Sequence, residues 1–311
     1  MVKVFLLIVV GLVGPDSPEH AELFRKWGAT LADSSERLGV TKDRLVYLVD
    51  EPGEGDKRAT GPATKDEVTK ALERFAAEAG PEDLVFVTLI GHGDFDGRMA
   101  KFNLVGRDIT PPEFDALFDK MRAKQIVFVD TSAASGPFVE TLSAPGRTVV
   151  TATRNGSEKY ATLFGGPFVE ALTSEAADQD KNRRISVLEA FLYAKAEVER
   201  GYKREGLLQT EHAVLDDDGD KEGSQTPAIG GKDGKIAAVL SLGSMEAATP
   251  KDPKLAAQYD ERRDLERRME NLRLLKDSLD PARYASELEK LATELARKSR
   301  EIREAEAAGQ K

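Results

Sequence analysis

The sequence predicts an α/β fold with a mostly parallel central sheet, followed by a C-terminal α-helical hairpin. Three observations carry that expectation. Short apolar runs of strand length alternate with amphipathic segments of helical period. The runs at 4–10, 84–90 and 126–129 are apolar on both faces, as strands buried inside a parallel sheet are. Beyond residue 252 the composition turns strongly charged, with a narrow apolar seam at heptad-like spacing.

In chain order, the first strand is Val4 to Val10. Ser17 as N-cap and Pro18 at the first helical position open a helix expected to reach Leu38, with Leu23, Phe24, Trp27, Leu31 and Leu38 inward. A second strand covers 44–49, and the polar, glycine-rich stretch 51–62 reads as a mobile loop. Thr64 caps a helix to about Ala79, and the third strand follows at 83–90. Pro111 and Pro112 open a helix through Met121, ahead of strands at 125–130 and 147–152. Helices are expected at 162–174 and 186–204, and a last strand at 235–242. Short connections between alternating elements imply right-handed crossovers.

Residues 1–246 thus form one α/β domain and 247–252 a linker. Residues 253–308 form an antiparallel helical hairpin broken at Asp280-Pro281, with its seam on Leu265, Met269, Leu272 and Leu279 and on Tyr284, Leu288, Leu291, Leu295 and Ile302. Such a hairpin packs on itself, on the main domain or on a partner. The partners expected are therefore a protein or a second copy of the chain, engaged through these helices.

The totals exclude several classes. The chain has 311 residues, 40% hydrophobic and 32% charged, with a formal net charge of −10, which argues against nucleic acid as the main partner. There is no cysteine, so disulfides, thiolate metal sites and thiol catalysis go together. No apolar run has the length to span a membrane. The first apolar run lacks the length and the Ala-x-Ala site of an export signal. The compartment stays open: exported or periplasmic if a signal peptide has been removed, cytoplasmic otherwise.

Chemistry is expected at two strand ends. Gly91-His92-Gly93 closes the third strand, and Asp130-Thr131-Ser132-Ala133-Ala134-Ser135-Gly136 closes the fourth. In parallel sheets ligands bind beyond the carboxyl ends of the strands. On these residues the chain resembles the caspase-like cysteine peptidases, in particular the legumain-type branch, in which a His-Gly pair ends one strand and a Cys-x-Ser-Gly motif ends the next. Lys101-Phe102-Asn103-Leu104, Thr151-Ala152-Thr153-Arg154 and 186–191 are similar to bacterial members of the group, some of which lack the cysteine. The resemblance covers roughly residues 4–245 and implies a three-layer caspase-like sandwich. It places His92 at the family's histidine and Ala133 at the position of its cysteine. A methyl group cannot attack a carbonyl, so the resemblance implies a pseudopeptidase that binds or assembles, with His92 vestigial. The alternative is a hydrolase using Ser132 or Ser135 with His92 as base; the competing expectation for both serines is to cap the next helix.

Calcium is the one cofactor the residues suggest. Asp178, Asp180, Asn182, Arg184 (through its carbonyl), Ser186 and Glu189 match ligand positions of a twelve-residue EF-hand-like loop, although Arg183 stands where that loop needs glycine. The simpler reading is a polar loop that caps the next helix. Asp216, Asp218 and Asp220 form a second, weaker carboxylate cluster. His20 is expected on the surface and His212 in a structural hydrogen bond, neither being spaced with His92 as a zinc ligand. Phe95 and Phe102 either line a pocket beside His92 or pack.

Overall fold

A computed structural model of the chain describes residues 2–13, 18–52, 57–179, 184–242, 252–274 and 280–309. It divides into two compact units, Met1–Met245 and Glu246–Lys311.

The first unit is built on a seven-stranded sheet. Its strands are β1 (Val4–Val10), β2 (Leu45–Val49), β3 (Gly61–Pro62), β4 (Leu84–Ile90), β7 (Gln125–Asp130), β8 (Arg147–Thr151) and β9 (Val214–Asp216), while β5 (Gly93–Phe95) and β6 (Ala100–Phe102) form a separate hairpin. The order across the sheet is β3-β2-β1-β4-β7-β8-β9. All neighbours are parallel except β8 and β9. Because β1 lies between β2 and β4, the chain winds one way from β1 and the other way after β4. The crevice beyond the ends of these two strands is a topological switch point.

Alternate residues of each strand face opposite cores. On one side Ile8, Val10, Phe86 and Val129 meet Phe24 and Leu31 of α1 (Pro18–Ser34), with Phe168 of α5 (Gly165–Thr173) and Phe191 of α6 (Val187–Glu205). On the other, Leu7, Val87 and Phe128 meet Leu72 and Phe75 of α2 (Lys65–Glu78), Phe114 of α3 (Pro111–Phe118) and Phe138 of α4 (Pro137–Leu142). Two helical layers thus enclose the sheet, the three-layer α/β sandwich expected from the sequence.

Several local expectations are corrected. The first helix stops at Ser34, and Leu38 is buried from the turns that follow, before Gly39 at φ +77°. Leu23 is exposed; its intended cap, Ser17, lies outside the described residues. The third helix stops at Phe118, short of Met121. Within the expected loop at 51–62, of which residues 53–56 are not described, Gly61–Pro62 pairs as a short edge strand with Leu48 and Val49. The expected strand at 235–242 is a set of turns. Asp217, buried, accepts hydrogen bonds from the Gly234 and Ala237 amides through its two carboxylate oxygens. Ala238 N–H and Leu240 N–H then bond back to Gly234 and Ile236 carbonyls. The outermost place in the sheet goes to β9 instead.

The second unit consists of α7 (Pro253–Leu274) and α8 (Pro281–Gly309). Leu265, Leu272 and Leu291 form its core, with Met269, Tyr284, Leu288 and Leu295 packed around them. Lys298 in the second half of α8 pairs with Glu261 in the first half of α7. Leu279 and most of the expected linker lie outside the described residues. Among the described residues no helix is long and apolar enough to cross a membrane.

Candidate functional site

The ends of β4 and β7 meet, as parallel neighbours in register from Leu84↔Gln125 to Leu89↔Asp130 must. Just beyond them, a Cβ on Gly93 would stand 2.5 Å from Ser132 Oγ and 2.6 Å from the Ala133 carbonyl oxygen. Only glycine lets the His92 turn lie this close to the Ala133 segment. The turn is closed on its far side by Asn103 N–H, which donates to the His92 carbonyl.

The side chains at the two strand ends are engaged elsewhere. His92 is half-buried; its Nε2 lies 3.2 Å from Nδ1 of His20, and its ring meets Phe24 edge-on at 5.1 Å. Burial, and secondarily the neighbouring imidazole, push the His92 pKa down, so its neutral form is favoured. Ser132 is fully buried and its hydroxyl donates to the Ala133 carbonyl at 3.3 Å. Ser135, also buried, shares a 3.1 Å hydrogen bond with the Thr153 hydroxyl, and Thr153 N–H donates to Ser135 Oγ. Neither serine caps the next helix through its hydroxyl: α4 begins at Pro137 with Gly136, which has no side chain, as its N-cap, and Ser135 Oγ is committed to Thr153. Ala133 is 3% exposed, and Ala134 after it takes a left-handed φ of +53° with its N–H donating to the Glu158 carbonyl. A β-carbon makes that conformation unfavourable, and the surrounding bonds hold it.

Four titratable groups that the sequence did not single out as site residues surround this loop. Asp130 is completely buried; one oxygen accepts from Ser132 N–H at 2.9 Å and Oδ2 has no hydrogen-bond partner. Burial raises its pKa to about 7. Glu211 is raised to about 7 by the same cause. It accepts from the Leu163 and Phe164 amides, holding the loop from which Thr162 donates to the Thr131 carbonyl. Glu158 binds His212 Nδ1 at 2.6 Å and the Arg154 guanidinium at 3.0 Å, which gives His212 its expected structural bond. The fourth is His20, in the first turns of α1 and half-buried rather than a plain surface residue. Partners 54 (Glu158–His212) and 72 (His20–His92) residues apart carry no spacing signal; only the tertiary fold brings them together. Phe95 and Phe102 resolve as packing: Phe95 lies against Gly156, and Phe102, fully buried, against Gly11 and Gly91.

The two metal-loop expectations fare differently. Asp180 and Asn182 lie outside the described residues. Glu189 and Ser186 form a capping box at the start of α6, with Ser186 N–H and Oγ donating to Glu189 Oε2 and Gln179 N–H to Oε1. The Arg184 guanidinium donates to Ser241 Oγ. In the acidic loop, Asp216, Asp218 and Asp233 bring ligand oxygens within 4.8 Å of one another. Asp233, absent from the sequence expectation, replaces Asp220, which pairs with Lys232. Burial raises Asp233 to about 6 and shifts Asp216 upward as well.

The three-layer sandwich, the strand order and the paired strand ends are those expected of a caspase-like α/β fold. Residues 64–212 match the family model described as the Peptidase C13 family, the legumain family of the caspase-like clan. The matched stretch runs from the Thr64 cap to His212 and contains both strand ends. Among curated proteins nothing matches the chain. Among solved structures, the crystal structure of protein GSU0716 from Geobacter sulfurreducens is similar at 11% identity and a TM-score of 0.44, covering 69% of this chain and 92% of that one.

Proposed function

We propose that the chain is a non-catalytic member of the legumain-like group, a pseudopeptidase whose scaffold binds or assembles proteins. One observation supports the reading: among the described residues, both serine hydroxyls near the strand ends are buried and bonded away from His92. The resemblance puts a methyl group, Ala133, where the family has its cysteine, and the chain has no cysteine to replace it. Both serine hydroxyls nearby are buried and hydrogen-bonded to other groups, and the facing ring nitrogen of His92 is turned to His20. A serine needs a base within hydrogen-bond reach to attack a carbonyl. The C-terminal helices are the surface proposed for a partner helix or a second copy of the chain.

A serine-reactive phosphonate probe tests this. No labelling is expected in the native protein. Labelling at Ser132 or Ser135 that disappears in His92→Ala would overturn the proposal in favour of a serine hydrolase. A structural calcium ion belongs to the same proposal, with Asp216, Asp218 and Asp233 as its carboxylates. Millimolar calcium then raises the melting temperature of the chain, and Asp218→Asn removes the rise. An unchanged melting temperature disposes of the ion without touching the non-catalytic reading.

A further inference from the structure

His20 and His92 face each other through ring nitrogens beyond the ends of the sheet. Their facing nitrogens, Nδ1 of His20 and Nε2 of His92, lie 3.2 Å apart, with the rings at 60° and their centroids 5.1 Å apart. Two imidazoles bound to one tetrahedral zinc, each at about 2.0–2.1 Å, hold their nitrogens roughly 3.3 Å apart. The pair is therefore already spaced as two ligands of one ion. We propose that His20 and His92 form a two-histidine site for a borderline divalent transition metal, zinc being the reference, with solvent in the remaining positions.

The fold supplies what such a site needs. His92 follows β4, and His20 lies in the helix that follows β1, so the pair stands over the switch point of the sheet. Phe24 lies 5.9 Å from the His20 ring and 5.1 Å from the His92 ring, and restricts both from the core side. Both histidines are half-exposed, so an ion can reach them. Imidazole nitrogen suits zinc, copper and nickel, whereas calcium and magnesium prefer oxygen. The proton balance is simple. In the free pair one ring donates its N–H to the lone pair of the other. When the metal binds, that proton leaves the facing nitrogen and solvent returns one to the other nitrogen of the same ring. Both facing nitrogens then present lone pairs, with no net proton released from a neutral pair. The proposal does not depend on whether the chain is catalytic.

The test uses the full, tag-free chain and zinc chloride or nickel chloride alone, in buffer without chelating components at neutral pH. Calorimetric titration should show a zinc site whose isotherm is unchanged by a large excess of calcium, and zinc should raise the melting temperature at any fixed calcium concentration. Cobalt(II) should give visible absorption on binding at the same site. His20→Gln and His92→Ala should each weaken zinc binding by about tenfold or more, since even loss of an outer partner of a ligand costs that much. His212→Ala and Asp218→Asn should leave it unchanged, which separates this site from the carboxylate cluster. His20→Gln keeps a hydrogen-bonding side chain near the surface end of α1, so it carries the test even if His92→Ala fails to fold. Absence of any zinc-dependent heat or melting shift would overturn the proposal. So would a wild-type zinc isotherm and cobalt spectrum in His20→Gln.

Discussion

In the α/β unit all seven residues of β1 and all seven of β4 are buried, and apolar side chains pack on both faces of the sheet. In the helical unit α7 and α8 bury a single stripe, in which Leu265 and Leu272 remain 9% exposed, and ion pairs such as Lys298–Glu261 line its edge. A sheet covered on both sides removes apolar area from water in two dimensions, and a two-helix hairpin along only one line. Stability in the first unit is accordingly a matter of core volume. In the second it rests on a few leucines and on screened charges.

The largest expected effect tests that contrast at Phe128, whose ring contacts Phe114, Phe118 and Phe138 at centroid distances of 5.1, 5.9 and 5.6 Å. Phe128→Ala should destabilise the α/β unit by about 3–5 kcal/mol, read by denaturant unfolding with near-ultraviolet dichroism. A loss below about 1 kcal/mol would mean that the core is not close-packed.

Next is the buried carboxylate of Asp130. Its folded pKa of about 7 lies above the ordinary value of 3.8, so the folded state binds more protons across the interval between them. Stability contributed by this group therefore falls as pH rises from about 4 to about 7. Asp130→Asn keeps an oxygen for Ser132 N–H and cannot ionise. It should flatten this part of the stability–pH curve and raise the melting temperature above neutral pH. An unchanged curve would show that Asp130 titrates normally.

A smaller loss is expected at the start of α6. Ser186→Ala removes one half of the capping box and should cost about 1 kcal/mol in urea unfolding. The smallest belongs to the helical unit. Lys298 bridges Glu261 and Glu301, both at 2.6 Å, but these partners are 63% and 39% exposed. Lys298→Met should change its thermal stability by less than about 1 kcal/mol, and less still in high salt. A larger loss would make charge, not the leucine stripe, the main support of the hairpin.

Much of the frame was legible because it is written in local periodicity. β1 and β4 are continuous apolar runs, and Thr64 marks the start of α2. In the helical unit Leu265, Met269, Leu272, Tyr284, Leu288, Leu291 and Leu295 pack together, whereas Ile302 is buried outside that cluster. Elements of three residues were missed, among them β5, β6 and β9, since so few side chains cannot establish a period. The run at 235–242 was misread for the opposite reason: its apolar residues suit a strand, but the distant Asp217 carboxylate takes the amides that a strand would use.

The amino-acid order by itself determined the alternation of strands and helices, the turn-forming glycines around His92, the absence of any thiol and the charged character of the C-terminal helices, all of which depend on neighbours a few residues away. Tertiary structure alone decided which polar groups meet. Strand order set His20 against His92 and Asp233 beside Asp216, and it closed Ser135 onto Thr153. Hydrogen bonds and ligand sets form between groups a few ångströms apart in space, whatever their separation along the chain, so sequence spacing could not disclose them.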